Sequence, residues 1–143
     1  MSVIDTIKSC REAIADTVGG TKIKCKQYSI VYNQERNIAA VGIPRIVVSE
    51  LDQSYGIYRV NFPIEVYHRL DNAMSKNIEQ AETNIELILD RLGTDRTLGG
   101  RVTWSEVADD INSDVFQVDK QTVLLTIINL VVTPFANTAR GSA

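Results

Sequence analysis

Between residues 74 and 92, Met74, Ile78, Ala81, Ile85, Ile88 and Leu92 recur every three or four positions, the spacing of one helical face. Asp71 stands ahead of the run as a cap and Gly93 behind it as a stop, so the pattern predicts a helix. A second helix is predicted over about 3–17, where Val3, Ile4, Ile7, Ala13, Ile14 and Val18 share helical spacing and Gly19-Gly20 ends the run. Residues 58–68 follow the other period. Val60, Phe62, Ile64 and Val66 alternate with Arg59, Asn61, Glu65 and Tyr67, which predicts a long strand with one face in the core. Pro63 lies in its middle and removes a ladder donor, pointing to an edge strand or a local bulge.

Shorter patterns fill the rest. Lys22, Lys24 and Lys26 alternate with smaller side chains over 21–28, as in a half-exposed strand, and Ser29-Ile30-Val31-Tyr32 extends it. The run Asn33-Gln34-Glu35-Arg36-Asn37 has no apolar anchor, so it is expected to form a flexible loop with its flanks to about Ala40. A strand is expected over 43–48, with Pro44 near its start. Beyond the second helix, 94–100 reads as a turn-rich connector, 102–107 as a short strand and Asn112-Ser113-Asp114 as a turn. A final hairpin is expected from 115–118 and 122–133, stopped by Pro134. The result is an α+β domain in which two helices pack on a mostly antiparallel or mixed sheet of four to six strands, in the order α-β-β-β-α-β-β. Residues 1–135 form this single domain and 136–143 a flexible tail. The stripe from Met74 to Leu92 should cover the sheet face carrying Val60, Phe62, Ile64 and Val66.

Composition narrows the class. The chain has 143 residues, 44% hydrophobic and 23% charged, as expected of one globular domain that folds without disulfides or metal. A net charge of −3 argues against sequence-specific nucleic-acid binding and against an anionic membrane surface. The longest apolar run, 123–132, is about half of what a membrane helix needs, and Met1 to Asp5 lacks the basic start of a secretory signal. A soluble protein made in the cytoplasm is expected. Cys10 and Cys25 stand in unrelated contexts, far from the single histidine His68, and read as reduced packing residues.

The chemical motifs are few. Neither Gly19-Gly20 nor Gly99-Gly100 belongs to a nucleotide-binding fingerprint. Asp110-Ile111-Asn112-Ser113-Asp114 imitates the opening of a calcium loop, but Val115 replaces the turn glycine and Gln121 the bidentate glutamate, leaving a polar turn. His68 has no nucleophile motif near it and reads as structural or exposed; Glu79, Glu82 and Glu86 read as the solvated face of their helix. The lysines of 22–26 read as a charged edge that resists aggregation. No catalytic, cofactor or metal site is expected from these residues. Since Gly93 already serves as a helix stop, Gly99-Gly100 is expected where the backbone takes positive φ, with Leu98 anchoring the turn in the core.

The stretch from Leu89 to Val102, with Thr97-Leu98-Gly99-Gly100 at its centre, resembles the connector of tail terminator and tail completion proteins of tailed bacteriophages. There too a second helix passes through a Leu-Gly-Gly turn into C-terminal strands. Chain length, the opening helix, the strand ending in Ile64-Glu65-Val66-Tyr67 and the final strand of 123–133 are similar as well. The resemblance implies a non-enzymatic virion protein of the tail or neck, made in the host bacterial cytoplasm. It implies a homo-oligomeric ring, of six copies, that sits on the tail tube protein, stops tube growth and receives the head–tail connector or neck protein. In a contractile tail a sheath protein would be a further neighbour. On this reading Gln34, Glu35, Arg36, Leu98, Gly99, Gly100 and Trp104 are candidate interface residues. Another head–tail joining protein, a stopper or connector-completion protein, would look alike. A competing class is a small enzyme or ligand-binding domain using His68, Arg69 and the aspartates after Trp104, whose scatter over different elements counts against it.

Overall fold

A computed structural model describes residues 3–28, 37–51, 54–71, 74–118 and 120–134. The described chain runs α1 (Val3–Gly19), β1 (Cys25–Lys26), β2 (Asn37–Val41), β3 (Arg45–Leu51), β4 (Ser54–Leu70), α2 (Met74–Thr94), β5 (Trp104–Val118) and β6 (Gln121–Thr133). It is the expected α+β arrangement with one more strand, β2, than the expected order. The six strands form one mixed sheet, β1-β2-β4-β6-β5, with β3 pairing β4 beyond the end of β2. Only β1 and β2 are parallel; the other pairs are antiparallel.

Alternation along β4 builds the main core. Val60, Phe62, Ile64 and Val66 are fully buried and sit opposite Val132, Leu130, Ile128 and Thr126 of β6 on the same sheet face. Both helices cover that face, α1 through Cys10, Ala13, Ile14 and Val18 and α2 through Ile88 and Leu92. Removing each large side chain of this set from water stabilises the fold by about 1.5–3 kcal/mol. The other face carries a smaller cluster in which Ile38, Tyr67 and Val123 are buried, with Tyr67 edge-on to Phe116 at 6.4 Å between ring centroids. Cys10 is buried and Cys25 packs against the main core; both thiols are free, and burial raises them to about 11 and about 12, as suits packing residues.

Several expectations are corrected. Of 21–28, only Cys25–Lys26 pairs as a strand, although Ile23 still turns inward and Lys22 and Lys24 outward. Of the flexible loop expected over 33–40, residues 33–36 lie outside the described residues, and the remainder is no loop: Asn37–Val41 is a strand whose Ile38, Ala39 and Ala40 are fully buried. The strand expected over 43–48 begins after Pro44 and runs Arg45–Leu51. Asn112-Ser113-Asp114 is no turn. It lies inside β5, paired with Ile127, Thr126 and Leu125, and the irregularity falls earlier, between Val107 and Ile111. As the sheet's last strand, β5 keeps polar side chains in water, which gives an extended segment the composition of a loop. Gly93 is not the helix stop either: α2 continues to Thr94, whose hydroxyl donates to the carbonyls of Asp90 and Arg91.

Pro63 is not on an edge. β4 pairs with β2 and β3 on one side and with β6 on the other. The amide and carbonyl of one strand residue point to the same side. Because Gly42 N donates to Pro63 O at 2.7 Å, the missing Pro63 donor faces the gap where the chain passes from β2 to β3. A Cβ on Gly42 would lie 2.8 Å from Pro63 Cγ, so glycine is what lets the two chains approach.

The buried seam of α2 is rotated from the expected stripe. It runs Asn77, Ala81, Asn84, Ile88 and Leu92, while Met74 and Ile78 are exposed and Ile85 is half-buried. The two asparagines are tolerated inside because each has a polar partner: Asn77 Nδ2 donates to Asp71 at 2.7 Å, and Asn84 Nδ2 lies 3.2 Å from His68 Nε2. The C-terminal half of the expected stripe does cover β4, through Ile88 and Leu92.

Candidate functional site

The connector after α2 is a turn closed by its own polar side chains. Asp95 Oδ1 accepts from Gly99 N at 2.9 Å, Thr97 Oγ1 from Gly100 N at 3.2 Å, and Thr97 O from the amides of Arg101 and Val102. Leu98, Gly99 and Gly100 take φ values of 50°, 72° and 79°. Leucine in this left-handed region costs about 1–2 kcal/mol, and burial of Leu98, 1% exposed, offsets it. The expected roles of Leu98 and the glycine pair thus hold: one anchors, two turn. Beyond the chain neighbours, no atom of the described residues lies within 4 Å of where a Cβ on Gly99 or Gly100 would sit, so conformation alone requires glycine there. Arg101, next in line, reaches back to α1, with Nη1 2.6 Å from Asp16 and Nη2 3.6 Å from Glu12.

The turn aims β5 along the open edge of the sheet. Trp104 begins that strand, 44% exposed, with its indole N–H donating to Glu106 Oε1 at 2.9 Å and the Arg96 guanidinium 5.2 Å from its ring centroid. Leu98, Gly99, Gly100 and Trp104 therefore belong to one stretch, from anchored turn to exposed edge. The other three candidate interface residues, Gln34, Glu35 and Arg36, lie outside the described residues.

Rotation of α2 leaves a groove beside this edge. Ile85 and Leu89 pack against the margin of the main core and overhang β5 and β6, enclosing about 260 Å³ with Ile111 and Leu124 below and Glu82 and Glu86 at the lip. Ile111 and Val115, on the same face of β5, stay 39% and 53% exposed. On the other side of β4, the link between β2 and β3 presents Ile43, 82% exposed, followed by Pro44, Arg45 and the partly exposed Ile46.

That link is held from beneath by Arg11, which sequence analysis missed. Arg11 is 7% exposed, and its Nη1 donates to the carbonyls of Gln27, Val41 and Gly42 at 2.7, 3.0 and 3.1 Å. Its guanidinium lies 4.5 Å from the Tyr28 ring centroid and 5.6 Å from that of Phe62. Burial lowers its pKa, opposed by the nearby Tyr28. The signal was present as a vacancy: Ile4, Ile7, Ile14 and Val18 leave position 11 on their own stripe, filled by a cation.

The competing polar site is not assembled. His68 is 1% exposed beneath α2, and burial lowers its pKa to about 4. With Asn84 as donor, His68 Nε2 accepts and the ring proton sits on Nδ1, which has no partner among the described residues. Arg69 instead lines a second cavity, of about 430 Å³, with Asp71 and Lys120, while Asp110 and Asp114 are exposed on β5, across β6 from β4. Among the described residues no group of three or more His, Cys, Asp or Glu is placed to hold a metal ion, and no helix is long and apolar enough to cross a membrane.

No protein-family model matches the chain, and no curated protein matches it. Among solved structures, a chain of the virion of a native gene transfer agent particle is similar over 90% of this chain and 97% of its own, at 11% identity and a TM-score of 0.47. At that similarity no role passes from one chain to the other.

Proposed function

We propose that this chain is a non-enzymatic structural protein of a tailed-phage-type virion, a tail terminator whose ring closes the end of the tail tube and offers a surface to the neck. The observation that carries the reading is the Leu98-Gly99-Gly100 connector. It is the motif that resembles the terminator family, and here it is an anchored left-handed turn that directs β5 along the open edge of the sheet. Two further features support it. A closed ring needs two different complementary faces on one subunit, and exposed apolar side chains stand both at Ile43 and Ile46, about the β2–β3 link, and along β5, at Trp104, Ile111 and Val115. The single histidine is committed to a buried contact with Asn84 rather than to an open cleft.

The test is incubation of the purified chain with growing tail tubes of the cognate tube protein, followed by negative-stain imaging and length measurement. A terminator arrests growth and leaves a ring of added density at one tube end. Unarrested growth with a folded chain refutes the reading. Binding to the connector but not to tubes assigns the chain to the stopper or connector-completion alternative.

A further inference from the structure

We infer that the ring contact is a knob-and-groove joint between two copies of this chain: Ile43, Pro44 and Arg45 of one copy enter the α2–β5–β6 groove of the next. The inference rests on the ring reading and supplies the two faces that it requires. Ile43 is the most exposed large hydrophobic side chain among the described residues, at 82%. It is also held in place. Gly42 before it is fixed by its bond to Pro63 O and by Arg11 on its carbonyl, and Pro44 after it has a locked φ. An apolar side chain on a backbone that is already ordered loses little entropy on docking.

The groove fits such an occupant in size, polarity and charge. Ligand pockets start at about 300 Å³; this one, of about 260 Å³, suits one or two side chains. Its floor and walls are Ile85, Leu89, Ile111 and Leu124, and Glu82 and Glu86 stand exposed at its lip, where Arg45, two residues past the knob, would meet them. Paired rim charges of opposite sign fix register and speed association. The knob cannot reach its own groove. The knob follows β2 on one side of β4 and the groove spans β6 and β5 on the other, two to three strand steps away at about 4.8 Å each. A contact between two different patches is head-to-tail, the kind that propagates and closes a ring.

The experiment measures the mass of the full chain in solution, by light scattering and native mass spectrometry, across a concentration series. Ile43→Asp and Arg45→Glu are exposed substitutions that should leave the melting temperature unchanged while weakening association by about tenfold or more. Glu82→Arg with Glu86→Arg should do the same, and combining them with Arg45→Glu should restore the assembly. The distinguishing arm mixes Ile43→Asp with the Glu82→Arg/Glu86→Arg chain. One has only a working groove and the other only a working knob, so the mixture should stop at a one-to-one dimer. Wild-type oligomers that survive all of these changes, or a charge exchange that restores nothing, overturn the joint and leave the ring standing. A wild-type chain that stays monomeric both in solution and on tail tubes overturns the ring reading, and the joint with it.

Discussion

Replacing Arg11 with methionine keeps most of the side-chain stem and removes the cation from under the β2–β3 link. Three carbonyls, of Gln27, Val41 and Gly42, then lose their donor. A hydrogen bond to a charged group contributes about 1.5–3 kcal/mol. Because one NH₂ group has two hydrogens for these three acceptors, two full bonds, or about 3–6 kcal/mol, is the fair count. The faces of Tyr28 and Phe62 add about 0.5–1 kcal/mol each. Against this stands the cost of desolvating the guanidinium, several kcal/mol, which the variant recovers. The net expectation is a loss of about 2–4 kcal/mol, or very roughly 5–15 °C in melting temperature for a domain of this size. Urea unfolding followed by circular dichroism and by Trp104 fluorescence, Trp104 being the sole tryptophan, measures it. Arg11→Lys should lose less, about 1–2 kcal/mol, since an ammonium keeps the charge and the donors but not the planar face against Tyr28. A methionine variant as stable as the wild type, or more stable, would refute the claim that these carbonyls depend on the cation.

Three other outcomes follow from the described contacts. Ile88→Ala should destabilise by about 2–5 kcal/mol in the same assay, whereas half-buried Ile85→Ala should cost less than half as much; equal losses would mean that the groove is part of the core. Gly100→Val should cost about 2 kcal/mol through conformation alone, since its φ is 79° and no neighbour obstructs a Cβ; a tube-capping loss larger than that in the melt would place the turn at a subunit boundary. His68 is lowered from 6.5 to about 4 when folded, so below pH 6.5 the unfolded chain binds the proton first. Stability should therefore fall between pH 6.5 and about 4, by roughly 3 kcal/mol, and a His68→Gln variant should show a flatter profile over that window.

What the sequence made legible depended on whether one physical force shaped the pattern. β4 was readable because its faces divide into core and polar sides, and the final strand because β-branched residues continue across it. The ends of α2 were close, but its face was misplaced: hydrophobicity cannot register that Asn77 and Asn84 are buried through bonds to Asp71 and His68. Asn112-Ser113-Asp114 was misread because a strand with a water-facing edge needs no apolar residues to remain extended. Pro63 raised the right question and received the wrong answer, since the gap opposite it is made by a chain more than twenty residues away. Of the candidate site, the Leu98-Gly99-Gly100 turn was legible because positive φ has a residue signature. The groove was not. It exists only because α2 is rotated over β5 and β6, a tertiary fact.

The break at Gly42 and Pro63 divides the domain into regions of unequal permanence. On one side β6 stops pairing with β4 at Val60, so the pairing beyond it, Val47 to Leu51 against Ser54 to Arg59, is a two-stranded arm held by its own ladder. Isolated two-stranded pairings are marginal in water. Peeling the arm open ends at Pro63, where the ladder on that edge is already interrupted and the crossing bond comes from Gly42. Amide protons of the arm will exchange through local fraying, while those of Phe62, Ile64 and Val66, under both helices, wait for the whole domain to unfold.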